Sequence, residues 1–135
     1  MNFINGTLVK KGEDVYFEFE GVSLKLPADK AAAPEIVDYM GKEVIVGLRP
    51  EAISDEARVI EATPDSSFEV DVDVTELMGA EIYLYLKVGN PEEPTSLIAR
   101  VSSRSQSRAG DKIKVAFDMT RLHIFDKDTE RCVLH

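Results

Sequence analysis

Tryptophan is absent from the 135-residue chain, cysteine occurs once and histidine twice. A single cysteine, Cys132, excludes an intramolecular disulfide and favours a reducing compartment. His123 and His135 lie far apart in the sequence, and Cys132 has no partner motif around it. No metal site is therefore expected. His123 reads as a surface or rim residue of a strand, and Cys132 as a small strand residue. Long apolar runs are missing too: none approaches the roughly 20 residues that span a bilayer. Met1-Asn2-Phe3 lacks the basic start and apolar run of a signal peptide. There is no Gly-x-x-x-x-Gly-Lys-Ser/Thr stretch and no Gly-x-Gly-x-x-Gly, so nothing is built to cradle a nucleoside triphosphate or a dinucleotide. Positive charge is the other shortage. Lys and Arg number 16 against 25 Asp and Glu, a net −9, which argues against nucleic acid and against acidic membrane surfaces.

What is present is strand pattern. Val15, Phe17 and Phe19 alternate with Tyr16, Glu18 and Glu20, and after Gly21 the residues Val22, Leu24 and Leu26 alternate with Ser23 and Lys25. This is a hairpin with one buried face, turning at Glu20-Gly21. Val70, Val72 and Val74 oppose Asp71, Asp73 and Thr75; Ile82, Leu84, Leu86 and Val88 oppose Tyr83, Tyr85 and Lys87; Ile113, Val115 and Phe117 oppose Lys112, Lys114 and Asp118. Each reads as a half-buried antiparallel strand with its apolar residues inward. Val44 to Leu48 is apolar on both faces and should be a central strand. One segment looks helical, Ala31 to Met40, with Gly41 as its C-cap and Pro34 in its first turn. Asp55 to Ser67 is polar and reads as a surface connection between two strand sets; residues 89–94 and 102–110 read as loops. The expectation is an all-β barrel or sandwich of about ten short strands and one short helix.

Reactive groups do not converge. Asp71 and Asp73 share the outward face of one strand, too close to act across a cleft as acid and base. Asp126, Asp128 and Glu130 imitate the start of a calcium loop, but Arg131 stands where that loop needs glycine, so a hairpin turn is the better reading. Arg100, Arg104 and Arg108 are spaced by serines without aromatics, which describes a solvated loop rather than a nucleic-acid groove. No catalytic, cofactor-binding or metal-binding residue is expected.

Four segments in order resemble the C-terminal region of the ATP-binding subunits of maltose and multiple-sugar ABC importers. They are Met1-Asn2-Phe3-Ile4-Asn5-Gly6-Thr7-Leu8, Val46-Gly47-Leu48-Arg49-Pro50-Glu51-Ala52-Ile53, Val74-Thr75-Glu76-Leu77-Met78-Gly79-Ala80-Glu81, and His123-Ile124-Phe125-Asp126 followed by Thr129-Glu130. In the last of these Glu130 departs from the Thr-Gly of the family. The resemblance implies an OB-fold of the TOBE kind, related to molybdate-binding (MOP-like) folds. It implies one regulatory domain over residues 1–135, with Met1 at the family's domain junction and the whole a piece excised from a longer ATPase subunit.

The function so implied is non-catalytic: a regulatory and dimerisation domain, cytoplasmic and peripheral to the inner face of the membrane. Its partners would be its own nucleotide-binding domain, the second ATPase subunit, the permease subunits indirectly, and a regulatory protein. ATP and Mg are implied only for the domain not in this chain. The alternative is a free-standing small-ligand or oxyanion binder of the molybdate-binding fold, though the Ser-Ala-Arg-Asn-like signature of such proteins is missing. Candidate structural or interface residues are Arg49, Glu51, Leu77, Met78, Gly79, Tyr83 and Tyr85. Arg49 either bridges to an acid within the barrel or reaches a partner. Glu51 belongs to the first turn of a short helix, and Gly79 to a strand turn needing positive φ. Tyr83 and Tyr85 either face a partner or pack under the 55–67 connection.

Overall fold

Alternation of apolar and polar residues dictates the secondary structure, and the computed structural model, which describes residues 1–135, is mostly strand. Eleven strands form two sheets, and the chain divides into two compact units, each containing one of them.

The first unit comprises Met1–Leu48 and Met119–His135. It contains β1 (Asn2–Lys11), β2 (Asp14–Phe19), β3 (Val22–Lys25), β4 (Glu43–Leu48), β10 (His123–Asp126) and β11 (Cys132–Leu134), in the order β11-β10-β4-β1-β2-β3. Val15, Phe17, Phe19, Leu24 and Leu26 are buried as their spacing requires. Glu20 and Gly21, with φ of 50° and 77°, form the two-residue turn between β2 and β3. Positive φ at both positions is the twist-matched hairpin geometry. β4 lies in the interior of the sheet between β10 and β1, and Val44, Val46 and Leu48 are fully buried.

The expected helix over 31–40 is not one element. A single α-turn, α1 (Ala28–Ala31), is followed by a 3-10 helix over Pro34–Tyr39. Proline disfavours the helical region for the residue before it, and Ala33 is extended at φ −64°, ψ 128°. Pro34 therefore splits the run that composition alone made continuous, while Gly41 closes it with φ 77°.

The second unit is Arg49–Asp118. It contains β5 (Ile53–Ser54), β6 (Ser67–Met78), β7 (Glu81–Val88), β8 (Thr95–Ser102) and β9 (Lys112–Phe117), in the order β5-β9-β6-β7-β8. Phe68, Val70, Val72, Leu84, Leu86, Leu97, Ala99, Val115 and Phe117 make its core, with the rings of Phe68 and Phe117 edge-to-face at 5.0 Å. The connection over Asp55 to Ser67 carries a second helix, α2 (Ala57–Ala62), which packs against β9. Thr63 and Ser67 return hydroxyl bonds to the carbonyls of Val59 and Thr63, at 2.7 Å each, and fix its end.

One strand breaks its own alternation. Val74 was expected inward with Val70 and Val72, yet it is 49% exposed. Pairing steps from Val72↔Leu86 directly to Val74↔Tyr85, leaving Asp73 as an extra residue. A bulge of this kind reverses which face the following residues occupy.

Candidate functional site

The same bulge assembles the most conspicuous surface of the second unit. Beyond it, Val74 stands opposite Tyr85, Glu76 opposite Tyr83 and Met78 opposite Glu81. Tyr83 and Tyr85 are half-buried on the outward face of β7, whereas Leu84 and Leu86 between them are fully buried. The Tyr85 hydroxyl donates to Glu76 Oε1 at 3.4 Å, and the nearby Glu76 charge pushes the phenol pKa up. Leu77 lies on the opposite face of the hairpin and is 70% exposed; Met78 is 51% exposed. Gly79 begins the turn with φ 65°, whereas Ala80 has no positive φ. A glycine at the first central position of a two-residue hairpin loop satisfies that geometry without strain. The hairpin end is thus apolar on both faces, with two acids, Glu76 and Glu81, and two tyrosines along one of them.

The Leu48-Arg49-Pro50-Glu51 segment folds as its composition requires in part. β4 ends at Leu48, and Pro50 opens a one-turn 3-10 helix, Pro50–Ala52, closed by the Ala52 N–H on the Arg49 carbonyl at 2.9 Å. The Arg49 side chain is exposed and makes no hydrogen bond or ion pair, so the internal bridge is not formed. The arginine that engages Glu51 is Arg100, 3.9 Å from it and 2.9 Å from Glu81. Arg100 stands opposite Tyr83 in the β7–β8 ladder. Sequence spacing offered no signal for this pairing, because Arg100 and Glu51 meet only where β8 packs against the Pro50–Ala52 turn and β5, at the far edge of the strand order. Of the other two arginines of that run, Arg108 binds the carbonyls of Ser105 and Ser107 at 3.3 and 3.0 Å. Ser107 and Ser105 donate their hydroxyls to Asp55. The loop is pinned rather than free.

In the first unit the Asp126–Arg131 segment is the expected hairpin turn. Asp126 Oδ1 accepts the backbone N–H of Asp128 at 2.9 Å and of Thr129 at 2.8 Å, while Oδ2 accepts the Tyr39 hydroxyl at 2.7 Å. These bonds, led by the one from Thr129, pull the Asp126 carboxyl down to about 2, and the bond to Asp126 raises the Tyr39 phenol. Glu130 sits at φ 59°, the conformation that glycine adopts freely. Gly47 explains another part of the resemblance: a Cβ there would lie 2.7 Å from the Phe125 ring and 2.8 Å from Met1 Sδ.

The two histidines, distant in the sequence, meet in the fold. Although twelve positions separate them in the chain, His123 and His135 have ring centroids 5.7 Å apart, and the Cys132 Sγ is 3.5 Å from His135 Nδ1. One ligand atom from each of the three residues lies within 4.8 Å of the others.

Two small antiparallel sheets with short helical connections and an exposed apolar hairpin define an all-β domain of the OB type. The chain belongs to the TOBE domain family, whose profile matches residues 46–125; a profile described as the MalK OB fold domain matches residues 1–53. The two overlap on the Val46–Ile53 segment. The chain is 38% identical over 130 residues to the oligosaccharides import ATP-binding protein MsmX of Bacillus subtilis, covering 96% of this chain and 33% of that protein. It is 34% identical to the multiple sugar-binding transport ATP-binding protein MsmK of Streptococcus mutans (98% and 33%). It is 31% identical to the trehalose/maltose import ATP-binding protein MalK of Thermococcus litoralis (98% and 34%). The chain spans about a third of the length of these curated relatives. Among solved structures, the cytoplasmic molybdate-binding protein ModG superposes with a TM-score of 0.65 over 91% of this chain and 94% of its own, at 12% identity. That likeness shows the fold. No helix is long and apolar enough to cross a membrane.

Proposed function

We propose that this chain is the regulatory and subunit-pairing domain of the ATP-binding subunit of a carbohydrate ABC importer, and that the β6–β7 hairpin end is a contact to the second subunit. The observation that carries the reading is the exposure of Leu77, Met78 and Val74 within one hairpin. Isolated exposed apolar residues are ordinary on a protein surface, but a cluster beside half-buried tyrosines marks an interaction face. Burying such side chains gains about 25 cal/mol per Å² of apolar surface. Association costs several kcal/mol of translational and rotational freedom, so a patch of this size supports weak pairing alone. Tethered to a nucleotide-binding domain that has its own contacts, the same patch becomes sufficient through effective concentration.

In this reading the chain contributes no residue to ATP hydrolysis. ATP and Mg are handled by the nucleotide-binding domain, the permease is reached through it, and the location is the cytoplasmic face of the membrane. The exposure of Arg49 supports a role for it at a partner, whether the second subunit or a regulatory protein.

Sedimentation equilibrium of the chain over a wide concentration range tests the pairing. The expected result is a reversible dimer that weakens on Leu77→Asp with unchanged far-ultraviolet circular dichroism. A strict monomer at the highest attainable concentration, or a dimer indifferent to Leu77→Asp, sinks the assignment of this hairpin.

A further inference from the structure

We infer that His123, Cys132 and His135 form a site for one divalent transition-metal ion of borderline softness, Zn²⁺ being the type case, with two imidazoles and one thiolate as ligands and a fourth position open to water or an incoming donor. The first support is distance. With Zn–S of about 2.3 Å and Zn–N of about 2.0–2.1 Å, two ligands on a tetrahedral ion stand about 3.5 Å apart. Cys132 Sγ and His135 Nδ1 are 3.5 Å apart. The full set lies within 4.8 Å, so the remaining edges close by little more than about 1 Å, within reach of side-chain rotation.

The second support is the way the backbone assembles the set. β10 and β11 pair as Ile124↔Leu134 and then Phe125↔Cys132, so one step on β10 meets two on β11 and Val133 is the extra residue. Without that shift Cys132 would share the buried face of Leu134 and Ile124. With it, Cys132 joins the face of Phe125 and His123. His135, one residue past Leu134, alternates onto the same face, and the two imidazole planes cross at 81°. The position of His135 is fixed from α1, where the largely buried Lys30 donates to its carbonyl oxygen at 2.7 Å. That ammonium is the opposing charge nearby; it is engaged with a carbonyl, and the thiolate formed on metal binding offsets it. Binding releases the Cys132 thiol proton to solvent and leaves both imidazoles neutral. An ion held this way fastens β11 to β10.

The ligand types select the metal class. Thiolate with imidazole suits zinc, cobalt, nickel or copper and disfavours calcium and magnesium, which take oxygen donors. Titration of the reduced 135-residue chain with Co²⁺ reads the site directly through its thiolate-to-metal charge-transfer absorption, and Zn²⁺ is then scored by displacing the cobalt. The expected result is one ion per chain, a charge-transfer band lost in Cys132→Ser, and affinity lowered roughly tenfold or more in His123→Ala and in His135→Ala. No charge-transfer band in the unmodified chain, or a band that survives Cys132→Ser, overturns the proposal, as does unchanged affinity in both histidine variants. Alkylation of Cys132 in the unmodified chain is a readout independent of whether any variant folds. Zn²⁺ should slow it at least about tenfold, and an unchanged rate refutes the site.

Discussion

Replacing Gly6 by alanine adds one methyl group to the middle of β1, and the structure states what that methyl meets. A Cβ there would lie 2.5 Å from the Glu18 carbonyl oxygen and 2.5 and 2.6 Å from two carbons of the Phe17 ring. Ordinary carbon contacts are about 3.5–4.0 Å, so the overlap is about 1 Å. Phe17 cannot swing aside, being fully buried and stacked on Phe19 at a centroid distance of 5.6 Å. Glu18 is paired with Thr7 in the β1–β2 ladder, so moving its carbonyl shifts the strand. Overpacking of this kind costs about 1–3 kcal/mol. The loss of unfolded-state freedom on going from glycine to alanine returns about 0.4–1 kcal/mol. With backbone as the obstacle the upper part of the range applies, leaving a net loss of about 2 kcal/mol. Gly47→Ala is the internal control. Its Cβ meets the Phe125 ring edge at 2.7 Å and Met1 Sδ at 2.8 Å, and Met1 is 47% exposed and able to move. Its cost should stay within about 1 kcal/mol. Both glycines belong to the first unit, so urea unfolding followed by tyrosine fluorescence and far-ultraviolet circular dichroism compares like with like. Equal stability of Gly6→Ala and the parent chain, or a larger loss in Gly47→Ala, would refute the reasoning.

Glu130→Gly should stabilise by up to about 1 kcal/mol, since a left-handed conformation strains a residue with Cβ; thermal melts showing a loss would mean the Glu130 side chain holds the turn. The Asp126 carboxyl, at about 2 in the fold against an ordinary 3.8, adds stability that is fully present above the ordinary value and is lost as pH falls from about 5 toward 2. Acid titration of unfolding midpoints should show that slope flattened in Asp126→Asn, and an unchanged profile counts against the turn as its source. Arg49→Ala should leave stability within about 0.5 kcal/mol, as for a surface residue without partners; a larger loss by urea titration would restore the internal role.

Much of this architecture was legible because burial enforces period two. Phe17, Leu24, Val46, Leu84, Leu86 and Val115 are buried where alternation put them, and β4 is interior because its residues are apolar on both faces. The helical stretch failed for a local reason, the restriction that Pro34 imposes on Ala33, which a count of alanines does not register. α2 went unread because Ala57–Ala62 is short and polar, and its end is held by hydroxyls of Thr63 and Ser67 that also suit a loop. Arg49 drew attention because it lies in a motif, whereas Arg100, which meets both Glu51 and Glu81, lies in none. Its role follows from the pairing of β8 with β7 and from the packing of β8 against the Pro50–Ala52 turn, both of them long-range contacts.

The deeper limit on the sequence reading is parity. Alternation assigns faces only while each residue on one strand has one partner on the next, and a single extra residue inverts every assignment beyond it. The extra Asp73 takes Val74 from the core and sets it opposite Tyr85, so that the hairpin end gains an apolar residue beside its tyrosines. The extra Val133 takes Cys132 from the face of Leu134 and sets it among His123 and His135. In both units the residues that lie regularly in the ladders build the core, and the residues beyond the irregularity build the surface to which a partner or a metal is assigned. A bulge costs ladder hydrogen bonds and leaves a residue unpaired, so it persists where the redirected side chains are worth more than the lost pairing. Inserting one alanine between Cys132 and Val133 would therefore move Cys132 to the buried face of Leu134 while leaving both histidines in the chain. The thiolate would be lost from the cluster without being mutated, which separates the geometry of the site from its composition.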